Sequence, residues 1–440
     1  MFQAMDDALL SELTDWLRIP SISTGEGDPA ELERAAQWAA DKVRAAGGEV
    51  ELVRVGEGNP LVVGELRAAN ADAPTVLIYG HYDVQGVGDE TAWKSGPFEP
   101  EVRDGRLYAR GACDDKGNFF PLLHTACAMA SAGELPVNVR VLIEGEEEVG
   151  GESVAEWVRA DDRGADAAIV FDGGMEDPET PSITVGLRGI VHTHITVRTA
   201  RRDLHQGMYG GAALNSLNAL HAMLSAVLPD AEGRVRPELA ADTAEPSEIE
   251  RASWARLAPG EQVLAEVGAR PLSPSAPAEF RERTGALPCV DINYIEAGSP
   301  RTVIAAETKA AVTLRLAPGQ SAAAMQAEME RLLREAAPDG AEVEITHHAG
   351  EPSHFDPESP ALRLAGEAIE RATGMAPAYT SIGGSIPVVA DLAAAGIPTI
   401  VSGFALADDD IHAPNESYRL ESLRLGAAAS RELLTAFAAL

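Results

Sequence analysis

VNVRVLIEGEEEVGG, residues 137–151, begins as a buried strand and ends in consecutive glutamates followed by glycines. The run 137–143 has the apolar, β-branched composition of a strand, and a glycine directly after such a run marks its end. Taken alone, Glu146, Glu147 and Glu148 also fit a solvated acidic turn. The same form recurs along the chain, and this repetition predicts the fold.

Other apolar runs end in the same way, with an acidic or histidine side chain and a glycine at the strand end. They are TVLIYGHYD (75–83), RLYARGACDD (106–115) and ADAAIVFDGG (165–174). Helical periodicity at 1–18, 30–47 and 118–133 separates several of them, with Pro121 expected in the first turn of its helix. Strands that alternate with helices predict an α/β domain with a buried, mostly parallel sheet.

The pattern changes near residue 187, where strand-like segments begin to alternate apolar and polar residues. Such alternation is typical of strands with one exposed face. The alternating segments are 190–199, 310–316 and 341–348, and the accompanying helical patterns are 215–228 and 321–337. This combination predicts an inserted α+β two-layer domain.

These changes give the expected domain organisation. Residues 1–186 and 351–440 form a discontinuous catalytic α/β domain, and residues 187–350 form the inserted domain. Within the insertion, the polar, Pro-rich stretch 232–288 is left without an assignment.

Composition limits the classes of partner. The chain has 440 residues, is 45% hydrophobic and carries a formal net charge of −34, which argues against nucleic acid or anionic membrane as a partner. Its three cysteines include no C-x-x-C pair and form no disulfide framework. The N-terminal segment lacks the basic region of a signal peptide, and no apolar run reaches the length of a spanning helix. We therefore expect a cytoplasmic protein.

The acidic strand ends predict a metal site. Ligands bind at the carboxyl ends of parallel strands, so the side chains that follow the strands meet at one edge; they are His81, Asp83, Asp114, Glu147, Glu148 and Asp172. Carboxylates crowded there repel one another by roughly 4 kcal/mol per pair at about 4 Å, unless cations lie among them. Carboxylates with histidine suit zinc, or manganese and cobalt as alternatives. His412, in IHAPNE (411–416), is a second candidate histidine ligand.

With these pieces in order, the chain resembles the zinc-dependent family of aminoacylases, glutamate carboxypeptidases and carnosinase-type dipeptidases. The resemblance covers almost the whole sequence, and its motifs occur in the family order. They are GHYDVQ (80–85), LYARGACDDKG (107–117), EGEEEVGG (144–151), FDGG (171–174), DLHQGMYGG (203–211), TLRLAPGQ (313–320), GGSIPV (383–388) and IHAPNE (411–416).

The resemblance implies roles for the clustered residues. Asp114 would be shared by two metal ions; His81 and Asp172 would complete one site. Glu148 and His412 would complete the other. Asp83 would orient His81, and Glu147 would be the general base, which leaves Glu146 as a spacer.

The resemblance also implies that the inserted domain is a lid that takes part in substrate binding. His205 would help to stabilise the oxyanion, from its own subunit or from the partner subunit, and Arg315 with Gly384 and Ser385 of the GGSIP loop would hold a substrate carboxylate. The inserted domain would pair two subunits into a homodimer.

The substrate follows less directly. Within the family, EGEEE and an aspartate at position 172 favour the dipeptidase branch, whose substrates are short peptides. The alternative is a hydrolase of N-acyl amino acids with the same centre. A third reading is a non-catalytic, metal-binding relative.

Overall fold

The computed structural model describes residues 7–25, 27–70, 72–384 and 386–440. In chain order, its helices are α1 (Asp7–Leu17), α2 (Pro29–Ala45), α3 (Lys116–Ala132), α4 (Glu152–Ala160), α5 (Gln206–Tyr209), α6 (Ser216–Ser225), α7 (Glu248–Trp254), α8 (Gly260–Glu266), α9 (Ala322–Ala336), α10 (Pro360–Thr373), α11 (Pro387–Ala394) and α12 (Leu420–Ala436).

The strands follow the same numbering. They are β1 (Glu49–Val53), β2 (Leu61–Leu66), β3 (Thr75–His81), β4 (Glu101–Arg103), β5 (Arg106–Tyr108), β6 (Asn138–Glu144), β7 (Ala167–Phe171), β8 (Ser182–Leu187), β9 (Gly189–Arg198), β10 (Leu204–His205), β11 (Cys289–Ala297), β12 (Val303–Ile304), β13 (Glu307–Leu316), β14 (Glu342–Gly350), β15 (Ser353–His354), β16 (Ala378–Ile382), β17 (Thr399–Ser402) and β18 (Ser417–Arg419).

The chain divides into two compact units. The first comprises Met1–Val185, Phe355–Thr380 and Pro387–Leu440, and the second comprises Gly186–His354 with Ser381–Ile386. The segment 381–386 holds Gly383 and Gly384 of the GGSIP motif, whereas Pro387 of the same motif belongs to the first unit. The predicted boundaries place the whole motif within 351–440.

A twisted sheet forms the centre of the first unit, with strand order β1-β2-β6-β3-β7-β17-β8. Strand β3 pairs in parallel with β6 and β7, and β7 pairs in parallel with β17, while the flanking pairs are antiparallel. Strands β6 and β7 are buried along their whole length, as expected of a parallel core covered on both faces. The predicted α/β class with a mostly parallel sheet is confirmed.

Helix α3 packs closely against β3 at a glycine. A Cβ built on Gly80 would lie 2.2 Å from Cγ of Phe119, so only glycine lets the ring lie against the strand. The helix begins at Lys116 and therefore encloses Pro121. The expectation that Pro121 occupies the first turn was wrong, because the helix starts directly after Asp115.

The second unit has two layers, as predicted. Its main sheet has the antiparallel order β11-β13-β9-β14, and one face of β9 packs with residues of α6 and α9 in a continuous apolar core. The other face carries His192 and His194, whose rings lie 4.7 Å apart. The stretch 232–288, which had no assignment, contains α7 and α8.

Candidate metal centre

The centre begins at the carboxyl ends of three neighbouring strands. His81 is the last residue of β3, Asp172 directly follows β7, and Glu147 with Glu148 lies in the short helical turn after β6. Because β3 runs parallel to both neighbours, these ends meet at the same edge of the sheet. Local strand geometry thus brings one imidazole and several carboxylates together.

Asp114, in the loop between β5 and α3, lies between two histidines. Its Oδ1 is 3.1 Å from Nε2 of His81, and its Oδ2 is 2.8 Å from Nε2 of His412. His81 Nε2 is also 4.0 Å from Asp172 Oδ1, and His412 Nε2 is 3.2 Å from Glu148 Oε2. The result is two triads of possible ligands, His81–Asp114–Asp172 and Asp114–Glu148–His412, which share Asp114.

Asp83 fixes the ring of His81. Both side chains are fully buried, and Nδ1 of His81 lies 3.1 Å from the carbonyl oxygen of Asp83 and 3.3 Å from its Oδ1. The other carboxylate oxygen of Asp83 accepts hydrogen bonds from Ser23 Oγ at 2.6 Å and from the Glu148 backbone N–H at 3.2 Å. With Nδ1 directed at Asp83, Nε2 faces the carboxylates.

The carboxylates of the centre outnumber its positively charged groups. Burial and the neighbouring Asp114 raise the pKa of Glu148 to about 7, and burial likewise raises the pKa values of Asp172 and Glu147 despite the opposing effect of His81. Burial opposes ionisation of Asp114 too, but hydrogen bonds with His412 and His81 lower its pKa. Several carboxylates thus compete for two imidazoles.

This donor set fits two divalent metal ions. Each triad offers one imidazole nitrogen and carboxylate oxygens, with the candidate ligand atoms within 4.8 Å of one another. Buried Oε1 of Glu148 has no hydrogen-bond partner among the described residues, which is costly unless a cation or donor meets it. Mixed histidine and carboxylate ligands are those that zinc and similar transition metals accept.

Two neighbours of the centre were missed by the sequence reasoning. Gln85 donates from Nε2 to Glu148 Oε2 at 2.9 Å, and Ser23 holds Asp83. Gln85 ends the motif GHYDVQ, which also contains His81, so the motif itself indicated that Gln85 lies near the centre. Ser23 lies 60 residues from Asp83, and no sequence pattern indicated their contact.

The predicted substrate-binding residues lie in the second unit. His205 is exposed at the end of β10, which pairs with β12. Arg315 is half-buried on β13, and burial together with Arg188 lowers its pKa. Gly384 is exposed, and Ser385 lies outside the described residues.

The sequence from residue 77 to residue 436 matches the family model described as peptidase family M20/M25/M40. The chain belongs to this peptidase family. The predicted family and the predicted enzyme class, a hydrolase acting on peptide bonds, are thereby confirmed. No helix of the described residues has the length and apolar character needed to cross a membrane.

Individual relatives match over nearly the full chain. A cysteinylglycine-S-conjugate dipeptidase of Corynebacterium striatum is 29% identical over 92% of this chain and 90% of its own length. A Cys-Gly metallodipeptidase of Schizosaccharomyces pombe is 27% identical over 96% and 93%. Among solved structures, an M20 family metallo-carboxypeptidase of Sulfolobus solfataricus superposes with a TM-score of 0.85 at 26% identity, covering 99% of this chain and all of that one.

Proposed function

We propose that the protein hydrolyses the amide bond of dipeptides or short peptides with the help of two divalent metal ions, zinc being our choice of metal. The observation that carries this proposal is the placing of Asp114 between His81 and His412, which makes two ligand triads from one shared carboxylate. The names of the relatives from Corynebacterium striatum and Schizosaccharomyces pombe support a dipeptide substrate.

Each triad would hold one ion. His81, fixed by Asp83, would keep its Nε2 directed at the ion held by His81, Asp114 and Asp172. When bound, such ions lower the pKa of water and polarise a carbonyl group. The three carboxylates of the ligand set would offset three of the four positive charges of two divalent ions. The centre would keep a net positive charge and act as a Lewis acid.

Glu147 would move the proton. It is half-buried beside the ligands, and burial raises its pKa while the nearby His81 opposes the rise. A carboxylate with a raised pKa accepts a proton from water readily and can then deliver it to the departing nitrogen. Glu146, by contrast, accepts a hydrogen bond from the Asn59 backbone N–H at 2.9 Å, which suits a structural residue.

The second unit would supply the remaining contacts. We assign His205 to the oxyanion of the tetrahedral intermediate, and Arg315 with the Gly384–Ser385 backbone to the substrate carboxylate. We further propose a homodimer formed through the second unit. A cytoplasmic location is consistent with the free cysteines Cys113, Cys127 and Cys289 and stays a prediction.

The test is turnover of the metal-reconstituted protein on a mixed panel of dipeptides, tripeptides and N-acyl amino acids, followed by mass spectrometry. We expect dipeptide cleavage that falls at least about 100-fold in Glu147→Gln, as loss of a general base costs, with two metal equivalents retained. Glu146→Gln is the matched control, because it changes the adjacent glutamate, and it should keep wild-type turnover.

Other outcomes would redirect the proposal. Cleavage of N-acyl amino acids alone would make the protein a deacylase with the same centre. Two bound metals with no turnover on any substrate would favour a non-catalytic relative. A Glu147→Gln variant as active as the wild type would remove Glu147 from the mechanism.

A further inference from the structure

A single buried carboxylate, that of Glu416, joins the two loops that carry Asp114 and His412. Glu416 is 0% exposed. Its Oε1 accepts hydrogen bonds from the backbone N–H groups of Cys113 at 2.8 Å and Asp114 at 3.0 Å. Its Oε2 accepts from the Gly111 N–H at 3.0 Å and from Nη1 of Arg110 at 2.7 Å.

Arg110 extends this connection to a third loop. It is 1% exposed, donates from Nη2 to the carbonyl of Gly86 at 3.0 Å, and lies with its guanidinium 5.5 Å above the ring of Trp93. The loop between β3 and β4 is thereby fastened to the loop that follows β5.

Asn415, the residue before Glu416, connects its own segment to the loop between β3 and β4. Its side chain accepts from the Lys94 N–H at 2.8 Å and donates to the carbonyl of Ala92 at 2.8 Å. The segment 411–416, which carries His412, is therefore anchored at its carboxyl end by two adjacent side chains.

The hydrogen bonds explain how Asp114 keeps its position. Three N–H groups within residues 111–114 converge on one carboxylate, so the backbone immediately before the Asp114 side chain has little freedom. A buried carboxylate that accepts several backbone N–H bonds and one guanidinium bond satisfies donors whose loss would each cost about 1–3 kcal/mol. Removing its charge would also leave Arg110 buried without its ion-pair partner, which is strongly destabilising.

We propose that Glu416 is a positioning residue that orders the Asp114 and His412 loops before metal binds, and so raises the affinity of the centre for its ions. This inference rests on the proposed function, because it concerns the same metal centre. Glu416 contacts the backbone N–H groups of Cys113 and Asp114 rather than a ligand atom, and its effect passes through Asp114 and the chain leading to His412. Removing a residue that holds metal ligands in position weakens metal binding by about 10- to 100-fold.

The competing explanation is that Glu416 and Arg110 form an ion pair that only stabilises the fold. The chain offers a matched control for this explanation in Arg140 and Asp161. Their side chains are 8% and 12% exposed and make an ion pair at 2.5 Å, near the start of β6 and therefore away from the carboxyl ends of the strands. Asp161 also accepts a hydrogen bond from Nε of the more exposed Arg163 at 2.6 Å, so Asp161→Asn weakens a largely buried ion-pair group without touching the ligand loops.

The experiment compares wild type, Glu416→Gln and Asp161→Asn. Zinc and cobalt affinities are measured by competition with a chelator, the visible absorption of the cobalt-loaded proteins is recorded, and thermal unfolding of the metal-free proteins is followed. We expect both variants to lose thermal stability. Only Glu416→Gln should bind metal about 10- to 100-fold more weakly and show an altered cobalt spectrum, with kcat falling more than KM rises.

The outcomes separate this inference from the proposed function. A wild-type protein that binds no metal would overturn the proposed function itself. Wild-type metal affinity and an unchanged cobalt spectrum in Glu416→Gln, with the wild type binding two ions, would overturn only the positioning role.

A second measurement needs no variant and decides the matter should Glu416→Gln fail to fold. Amide hydrogen exchange of residues 111–114 is measured in metal-free wild type. Slow exchange of the Cys113 and Asp114 amides before metal is added supports a loop ordered by Glu416. Exchange as fast as in exposed loops, slowed only by metal, would show that the metal orders the loop and would overturn the inference.

Discussion

Asp114 presents one carboxylate oxygen to each of two histidines, and this division defines the centre at the scale of single residues. His81 is fully buried and fixed by Asp83, whereas the side chain of His412 remains about half exposed. The first triad is therefore built on a buried imidazole. The second triad is completed by an imidazole that is about half exposed.

This asymmetry gives a prediction for His412→Ala. Since His412 is half exposed, its truncation removes one ligand without opening a buried cavity, but it also removes the imidazole that lies 2.8 Å from Oδ2 of Asp114, so the metal-free protein should lose about 1–3 kcal/mol of unfolding free energy. The variant should hold one metal equivalent at a free metal concentration where the wild type holds two. Metal content by atomic emission and urea unfolding check both statements.

The control for this variant is His221→Ala, which removes an exposed histidine from α6 and should leave both equivalents bound. Two equivalents held with unchanged affinity by His412→Ala would remove His412 from the ligand set.

At the scale of elements, the contact between β3 and α3 supports two of the loops that carry ligands. His81 ends β3, and Asp114 lies just before α3, so the distance between strand and helix affects both. Gly80 and the ring of Phe119 set that distance, because no side chain fits between them. Packing of one helix on one strand is thus linked to the geometry of the centre.

We therefore expect Gly80→Ala to destabilise the first unit by about 1–3 kcal/mol, the cost of forcing extra atoms into a packed core. Denaturant unfolding of the metal-free protein gives the value. Gly86→Ala is the matched control, since the nearest atom to a Cβ there is Thr24 Oγ1 at 3.6 Å, an ordinary contact. The double variant Gly80→Ala/Phe119→Leu should recover part of the loss, because neighbouring substitutions are not additive. Wild-type stability in Gly80→Ala would contradict the packing argument.

At the scale of the whole molecule, the excess of acidic groups makes stability depend on pH. Glu144, at the end of β6, is 1% exposed and accepts a hydrogen bond from the hydroxyl of Tyr79. Burial is the main reason that its pKa rises, to about 8. In the unfolded chain the same group releases its proton near its usual value of about 4.3.

The sign of the effect follows from proton binding. Between roughly pH 4.3 and 8, the native protein keeps a proton on Glu144 that the unfolded chain has released, so the native state loses stability as pH rises through this range. Glu144→Gln removes this dependence. In metal-free protein, the unfolding free energy of Glu144→Gln minus that of wild type should therefore increase from pH 5 to pH 8.

Urea unfolding at several pH values in that range measures this difference, and subtracting one protein from the other cancels the titration of groups that both share. Glu261→Gln, an exposed substitution on α8, should run parallel to wild type. A constant difference between Glu144→Gln and wild type across the range would show that Glu144 is ionised in the native protein.

The sequence by itself determined the architecture and the acidic edge of the sheet. Strand composition, and the glycine and acidic residue at each strand end, are local properties, so the α/β unit, the two-layer insertion and residues such as His81 and Asp172 could be read without coordinates. The order of the motifs likewise indicated the family.

Only the tertiary structure decided which of these residues meet. Asp114 lies 33 residues from His81 and 298 from His412, and no local pattern fixes contacts across such separations. The same holds for Glu416, whose partners Gly111 and Cys113 lie more than 300 residues away, and for α3, whose start at Lys116 placed Pro121 inside the helix. Backbone hydrogen bonding and side-chain packing between distant segments set these positions, and a sequence pattern describes only neighbours along the chain.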